Sequence, residues 1–127
     1  MNPTGFLAVG VGAAFGAWIR WWLSVRINPV FLPLPLGTLV ANLAGAYLIG
    51  MAVAFFAQQT ALPAEIRLFA VTGFLGALTT YSTFSAEVVT MISGAQYGWA
   101  LLTAALHLGG SLLMTGLGMF TFQILRA

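Results

Sequence analysis

Long apolar stretches alternate with short polar segments along this chain. The runs from Ile27 to Ala64 and from Val88 to Leu125 carry no charge, and each far exceeds the roughly 20 residues that cross a bilayer core. Proline-containing and polar loops divide the pattern into four helices, predicted at about 5–25, 36–57, 66–93 and 97–125. The alternation typical of a transmembrane barrel is missing. We therefore expect an all-α integral membrane protein with a single four-helix transmembrane domain.

The third apolar segment contains an unusually polar stretch. Between Thr79 and Ser85 it carries five hydroxyl residues and a tyrosine, behind two glycines and shortly before Glu87. Hydroxyl side chains offer the backbone partners outside the helical ladder, and glycines lower the cost of leaving the helix. We therefore expect the third helix to break near 76–81. Irregular backbone at membrane depth is tolerated only where it is buried in protein or lines a wet cavity, so the break marks a candidate functional site.

Polar side chains also recur at helical spacing in the second and fourth segments. Thr38 and Asn42 are four residues apart and share a face. For Asn42, hydrogen bonding between helices and donation to an anion are both open readings. The fourth segment carries a stripe that should face the protein interior, because lipid offers it no partners. Its members are Thr103, His107, Ser111 and Thr115.

Composition and charge narrow the class of protein. The chain has 61% hydrophobic residues, 5% charged residues and a mean hydropathy of +1.01, and these values exclude a soluble domain. A net charge of +2 does not indicate nucleic-acid binding, and the absence of cysteine excludes disulfides and thiolate metal sites. Two arginines lie on each predicted side of the membrane, so the positive-inside rule does not favour either orientation of the chain. Oppositely inserted copies could therefore pair about a two-fold axis, with a single fixed topology as the alternative.

Arg20 is the one charged residue within the first predicted helix. Trp18, Trp21 and Trp22 surround it in the manner of an interfacial belt. Its guanidinium group either snorkels to the interface or draws anions into a vestibule.

Four motifs spread along the chain together resemble one known family. They are GAAFGAWIR at 12–20, GTLVANLAG at 37–45, GFLGALTTYSTFSAE at 73–87 and GSLLMTGLG at 110–118. This set resembles the Fluc (CrcB) family of small bacterial fluoride channels, and with the four-helix layout the resemblance covers essentially the whole chain. It implies a dual-topology antiparallel homodimer in the bacterial inner membrane, with two pores that export fluoride passively.

The resemblance also implies roles for individual residues. A structural Na⁺ at the dimer centre would be held by the backbone carbonyls of Gly76 and Thr79 from each copy. Tyr81 and Phe84 would line the fluoride path with their ring edges, although the family commonly has phenylalanine at the position of Tyr81. The resemblance also assigns Asn42, Ser111, Thr115, Thr38 and Glu87 to the path or its support. We add Thr83 and His107 to the path and Arg20 to its vestibule; the family varies at the position of His107, for which a core histidine is the alternative reading.

Fluoride is small and strongly hydrated, so a pore must replace its water with closely spaced donors and positive ring edges. A small proton-coupled multidrug-type transporter is the alternative function, but it requires a carboxylate in the first helix, which this chain lacks. A non-transporting assembly subunit would use the glycines and hydroxyls for packing alone. One histidine and two acids cannot assemble a catalytic or metal cluster, so an enzyme is not expected.

Overall fold

The computed structural model describes all 127 residues and contains helices but no strands, which confirms the predicted all-α class. Helix α3 covers 64–78 and changes pitch along its length. It starts as an α-helix at Ala64–Arg67, widens to a π-helix at Leu68–Leu75 and ends as an α-helical turn at Gly76–Leu78. The other α-helices are α1 at Pro3–Ile27, α2 at Leu36–Phe56, α4 at Tyr81–Ser93 and α5 at Tyr97–Arg126. A short 3₁₀ helix at Asn28–Val30 continues α1.

Asparagine side chains accept free N–H groups at the start of the first two helices. The Asn2 side chain accepts the Gly5 N–H at 2.8 Å, and Pro3 follows at a position where its missing N–H costs nothing. In the loop after α1, Asn28 Oδ1 accepts the Thr38 N–H at 3.1 Å. This bond satisfies one of the free donors at the start of α2 and ties the end of α1 to it.

Glycines allow the helices to pack in two close pairs. A methyl group at Gly12 would collide with the Phe69 carbonyl, so α1 lies directly against α3. A methyl group at Gly50 would meet the Thr115 carbonyl in the same way, and α2 packs along α5. Small residues at helix contacts are typical of proteins in lipid, where association depends on close van der Waals packing.

The turn between α4 and α5 brings the two helices together. Gln96 N–H donates to the Met91 carbonyl at 2.8 Å, and Ala95 N–H donates to the Ile92 carbonyl at 3.0 Å. These bonds form a Schellman motif whose left-handed position is occupied by Ala95, with φ 58°.

Most of the molecular surface is apolar. Only 19 of the 127 residues are buried, whereas many large hydrophobic side chains of α1 and α5 are exposed. Three helical stretches are long and apolar enough to cross a membrane: 3–30, 36–56 and 97–126. Neither α3 nor α4 alone reaches the roughly 20 residues that a crossing needs. The exposed apolar faces are typical of contact with lipid.

Candidate functional site

The backbone leaves the helical conformation at Thr79 and Thr80. Thr79 has φ −88° and ψ 155°, and Thr80 has φ −148° and ψ 121°, so both residues are extended between α3 and α4. The Thr80 hydroxyl accepts the Thr83 N–H at 3.1 Å and caps α4. Helix α4 thus starts again directly after the interruption. Thr83, predicted to line the pore, takes part in this cap through its backbone and lies outside the cleft described below.

Asn42 of α2 pairs with the extended backbone. Thr80 N–H donates to Asn42 Oδ1 at 2.7 Å, and Asn42 Nδ2 donates to the Thr80 carbonyl at 3.0 Å. A single side chain therefore satisfies both backbone groups of Thr80. Of the two readings of Asn42, hydrogen bonding between elements is observed.

The carbonyls of Gly76 and Thr79 are among those that lose their helical donors at the interruption. The Thr80 N–H, which a continuous helix would direct to Gly76, is bound to Asn42. The Thr83 N–H, which would reach Thr79, is bound to the Thr80 hydroxyl. The Gly76 and Thr79 carbonyls are the pair that the resemblance assigns to Na⁺, and oxygen acceptors without their helical donors are the ligand type that a hard cation takes.

Arg20 reaches the end of α3. Its Nε donates to the Ala77 carbonyl at 3.0 Å, and the side chain is half-buried. A cation at a helix C-terminus interacts favourably with the helix dipole, so Arg20 stabilises the end of α3 both by charge and by a hydrogen bond. The residue does not line the cleft.

A cleft of about 470 Å³ opens beside the interruption, between α2, α5 and the junction of α3 with α4. Eight of the twelve predicted site residues line it: Asn42, Gly76, Thr79, Tyr81, Phe84, His107, Ser111 and Thr115. The four that do not line it are Arg20, Thr38, Thr83 and Glu87. Thr80, which was not predicted as a site residue, also lines the cleft. The only sequence feature that could have indicated Thr80 as a site residue is its place in the threonine pair before Tyr81.

Three rings lead from the open side of the cleft to its buried wall. Tyr81 is 81% exposed, and its ring centroid lies 5.7 Å from that of Phe84 at an interplanar angle of 71°. Phe84 in turn stacks on His107, with centroids 4.5 Å apart and planes at 28°. An edge-to-face pair presents ring hydrogens, which carry partial positive charge, toward neighbouring groups.

The polar stripe of α5 faces the protein interior, as predicted. Thr103 is fully buried and donates to the Met91 sulfur at 3.4 Å. Thr115 donates to the Ala46 carbonyl of α2 at 3.0 Å. His107 is 4% exposed, and its Nδ1 lies 3.0 Å from Asn42 Nδ2. The stripe thus meets α2 and α4 along one continuous wall.

Thr38 and Glu87 form a separate pair between α2 and α4. The buried Thr38 hydroxyl donates to Glu87 Oε2 at 2.6 Å. The other carboxylate oxygen, Oε1, is buried and has no hydrogen-bond partner. This pair stands beside the cleft rather than on its wall.

The chain matches known proteins along almost its whole length. Residues 7–119 match the family described as CrcB-like protein, Camphor Resistance (CrcB). A protein of Cupriavidus taiwanensis named fluoride-specific ion channel FluC is 58% identical over 125 residues, which cover 98% of this chain and 99% of that protein. Proteins with the same name from Nitrosospira multiformis and Dechloromonas aromatica are 57% and 53% identical, covering 91% and 99% of this chain and 91% and 93% of their own lengths. The chain therefore belongs to the CrcB (Fluc) family.

Proposed function

We propose that this protein is a passive, fluoride-selective channel and not an enzyme. The relatives named fluoride-specific ion channel FluC support this function. The observation that carries it is the cleft, in which a broken helix, ring edges and hydroxyl-bearing residues come together inside an otherwise apolar chain. Together these groups offer hydrogen-bond donors and positive ring edges to a dehydrated anion. They lack the fixed positive charge that would hold the anion too tightly.

The ion path follows the cleft wall. Ser111 and Thr115 line one side, and the ring edges of Tyr81 and Phe84 line the other. Asn42 and His107 border the path between them, whereas Thr38, Thr83 and Glu87 support its walls from outside the cleft. Arg20 attracts anions toward the mouth of the path.

The functional unit is a homodimer of two oppositely oriented copies, with two pores. Tyr81 supports this arrangement, because a pore-lining ring that is 81% exposed in one chain needs a second surface to close around it. The balanced arginines, which leave both orientations open, are a second support. At the dimer centre, the Gly76 and Thr79 carbonyls of both copies would hold a Na⁺. When bound, the cation would supply positive charge that offsets repulsion between anions in the paths.

The protein works in the inner membrane of a bacterium and exports fluoride from the cytoplasm. A passive channel moves ions down their electrochemical gradient, and a membrane potential that is negative inside favours outward movement of an anion. Export therefore needs neither ATP nor a coupled proton.

Efflux from proteoliposomes tests this function. Vesicles that contain only the purified protein and lipid should release fluoride rapidly and chloride at the rate of empty vesicles. Equal release of both anions, or no release of fluoride, would contradict the proposal. In a fluoride-sensitive bacterium the gene should restore growth on fluoride, while resistance to lipophilic cations instead would favour the multidrug-type transporter.

A further inference from the structure

Thr79 ends helix α3 with two hydrogen bonds to one acceptor. Its N–H donates to the Leu75 carbonyl at 3.1 Å, and its Oγ1 donates to the same carbonyl at 2.9 Å. The backbone then leaves the helix, with ψ 155° at Thr79. A threonine hydroxyl that bonds back to the carbonyl four residues earlier holds its side chain in one χ1 rotamer. The direction of the Thr79 methyl group is therefore determined as well.

The methyl group of Thr79 occupies a space that Gly45 leaves on α2. Gly45 is buried, and a methyl group added at this position would collide with Cγ2 of Thr79. The next atoms around the added group are Thr79 Cβ at 3.7 Å and Leu78 Cδ2 at 3.8 Å, which are ordinary van der Waals distances. The space left by Gly45 is thus filled by one methyl group, that of Thr79.

Gly45 and Asn42 contact consecutive residues of the interruption. They are three positions apart on α2 and so share one face of this helix. Asn42 bonds to the backbone of Thr80, whereas Gly45 receives the side chain of Thr79. The Thr79 carbonyl has lost its helical donor, because the Thr83 N–H is bound to the Thr80 hydroxyl. Its direction therefore depends on how the rest of Thr79 is held.

We propose that Gly45 is a positioning residue for the cation site: by receiving the methyl group of Thr79, it fixes the direction of the Thr79 carbonyl. The proposal rests on the Na⁺ of the proposed function and adds the residue that orients one of its ligands. Gly45 contributes no ligand and acts through Thr79.

A side chain at position 45 would force one of two responses on Thr79. Rotation about χ1 would take the methyl group away from α2, but it would break the bond from Oγ1 to the Leu75 carbonyl. Movement of the backbone would keep that bond and displace the Thr79 carbonyl. The first response frees the carbonyl and the second shifts it. Both weaken a cation site, because its affinity depends on cavity size and on the rigidity of its oxygen ligands.

A double-mutant cycle tests this contact by complementary changes of shape. Gly45→Ala adds a methyl group, and Thr79→Ser removes the methyl group that it would meet while keeping the hydroxyl. The affinity for Na⁺ is measured on the purified protein from the Na⁺-dependent rise of the unfolding temperature, with N-methyl-D-glucamine as the replacement cation.

The two backgrounds should respond differently to the same substitution. In the unsubstituted protein, Gly45→Ala should lower the affinity for Na⁺ by about tenfold or more, because no space remains for a second methyl group. In the Thr79→Ser protein, Gly45→Ala should change the affinity by less than about threefold, because the two positions are coupled only through the lost methyl group.

Gly10→Ala is the matched control for adding a methyl group to a membrane helix. A methyl group at Gly10 meets no atom within 4 Å, so this variant should keep its Na⁺ affinity within about twofold. Hydrogen exchange gives a second readout that needs no cation. The Thr80 amide, which donates to Asn42, should exchange faster in Gly45→Ala and regain its protection in the double variant.

The outcomes of the cycle distinguish this positioning role from the cation site itself. Na⁺ stabilisation that Gly45→Ala leaves unchanged, or an equal loss in both backgrounds, would overturn only the role of Gly45. Should Gly45→Ala fail to fold, a double variant that folds and binds Na⁺ would support the contact, and one that also fails to fold would refute it. If Na⁺ does not stabilise the unsubstituted protein, the cation site and this proposal fall together, whereas fluoride efflux still tests the channel separately.

Discussion

The side-chain amide of Asn42 forms two hydrogen bonds with the backbone of Thr80, although the two residues are 38 positions apart. The amide bonds to both the N–H and the carbonyl of Thr80, as the backbone of a neighbouring β-strand does. Asn42→Ala leaves the N–H and the carbonyl of Thr80 without these partners. We expect a loss of about 2–4 kcal/mol in the free energy of unfolding in detergent, since each orphaned group costs about 1–3 kcal/mol. The exposed Gln123→Ala on α5 is the control and should change this free energy by less than about 0.5 kcal/mol.

Hydrogen exchange gives a local view of the same contact. The Thr80 amide should exchange much faster in Asn42→Ala than in the unsubstituted protein, while amides in the middle of α2 keep their protection. Unchanged protection at Thr80 would mean that another group takes over the bond.

Arg20 should stabilise the end of α3 independently of any effect on ions. Arg20→Gln removes the charge and the bond to the Ala77 carbonyl, and we expect a loss of about 1 kcal/mol of stability, reduced from the usual range because the side chain is half-exposed. Arg26→Gln removes the same charge from an exposed position on α1 and is the matched control. Equal stability of the two variants in denaturant unfolding would argue against the cap.

The Arg20 variants also test the vestibule. If Arg20 attracts anions, Arg20→Gln should reduce fluoride flux more strongly at low ionic strength than at high ionic strength, because salt screens the attraction. A reduction that does not depend on salt would leave only the structural role.

Phe84 occupies the centre of the ring row, between Tyr81 and His107. Phe84→Ile removes the ring edge and the stack on the imidazole while keeping an apolar side chain. We expect fluoride efflux to fall by about tenfold or more while the dimer persists, since an aliphatic group offers an anion no positive edge. Phe6→Ile, at an exposed position of α1, should conduct normally. Normal flux in Phe84→Ile would remove Phe84 from the path.

Tyr81 provides a ring whose hydroxyl is not required by the proposed path. Tyr81→Phe keeps the edge contact with Phe84, so we expect fluoride efflux within about threefold of the unsubstituted protein. Tyr81→Leu, which removes the ring, should lower efflux far more. A large loss in Tyr81→Phe would instead assign the hydroxyl a part in conduction, as a donor to the ion.

Ala95 offers a prediction that is independent of function. Its φ of 58° is unfavourable for a residue with a Cβ atom, by about 1–2 kcal/mol, whereas glycine adopts this conformation freely. Glycine at position 95 also gives the unfolded chain more conformational freedom, which offsets this gain in stability by about 0.4–1 kcal/mol. The net expectation is a gain of roughly 0.5 kcal/mol in unfolding experiments, with unaltered fluoride flux. A less stable Ala95→Gly protein would show that the motif tolerates alanine without strain.

The helical segments could be read from the sequence because lipid leaves little choice of backbone structure. In a chain with uncharged runs such as 27–64 and 88–125, backbone groups must be satisfied within each segment, and helices do this locally. The hydroxyl-rich stretch around Thr79 indicated where the third segment leaves the helix for the same local reason. Four-residue spacing likewise placed Thr103 and His107 on one face, and that face is buried.

Contacts between distant residues could not be read in this way. No local pattern predicts that Asn42 pairs with Thr80 or that Arg20 reaches Ala77. Nor does a local pattern predict that Glu87 bonds to Thr38 instead of lining the cleft. These bonds depend on how closely glycines let the helices approach and on how each helix is rotated about its axis, which are properties of the packed structure. The sequence by itself determined an all-helical membrane chain, its polar faces and the place of the interruption. Only the tertiary structure decided which side chain satisfies the freed backbone groups of Thr80, because that depends on how the packed helices place Asn42 beside them.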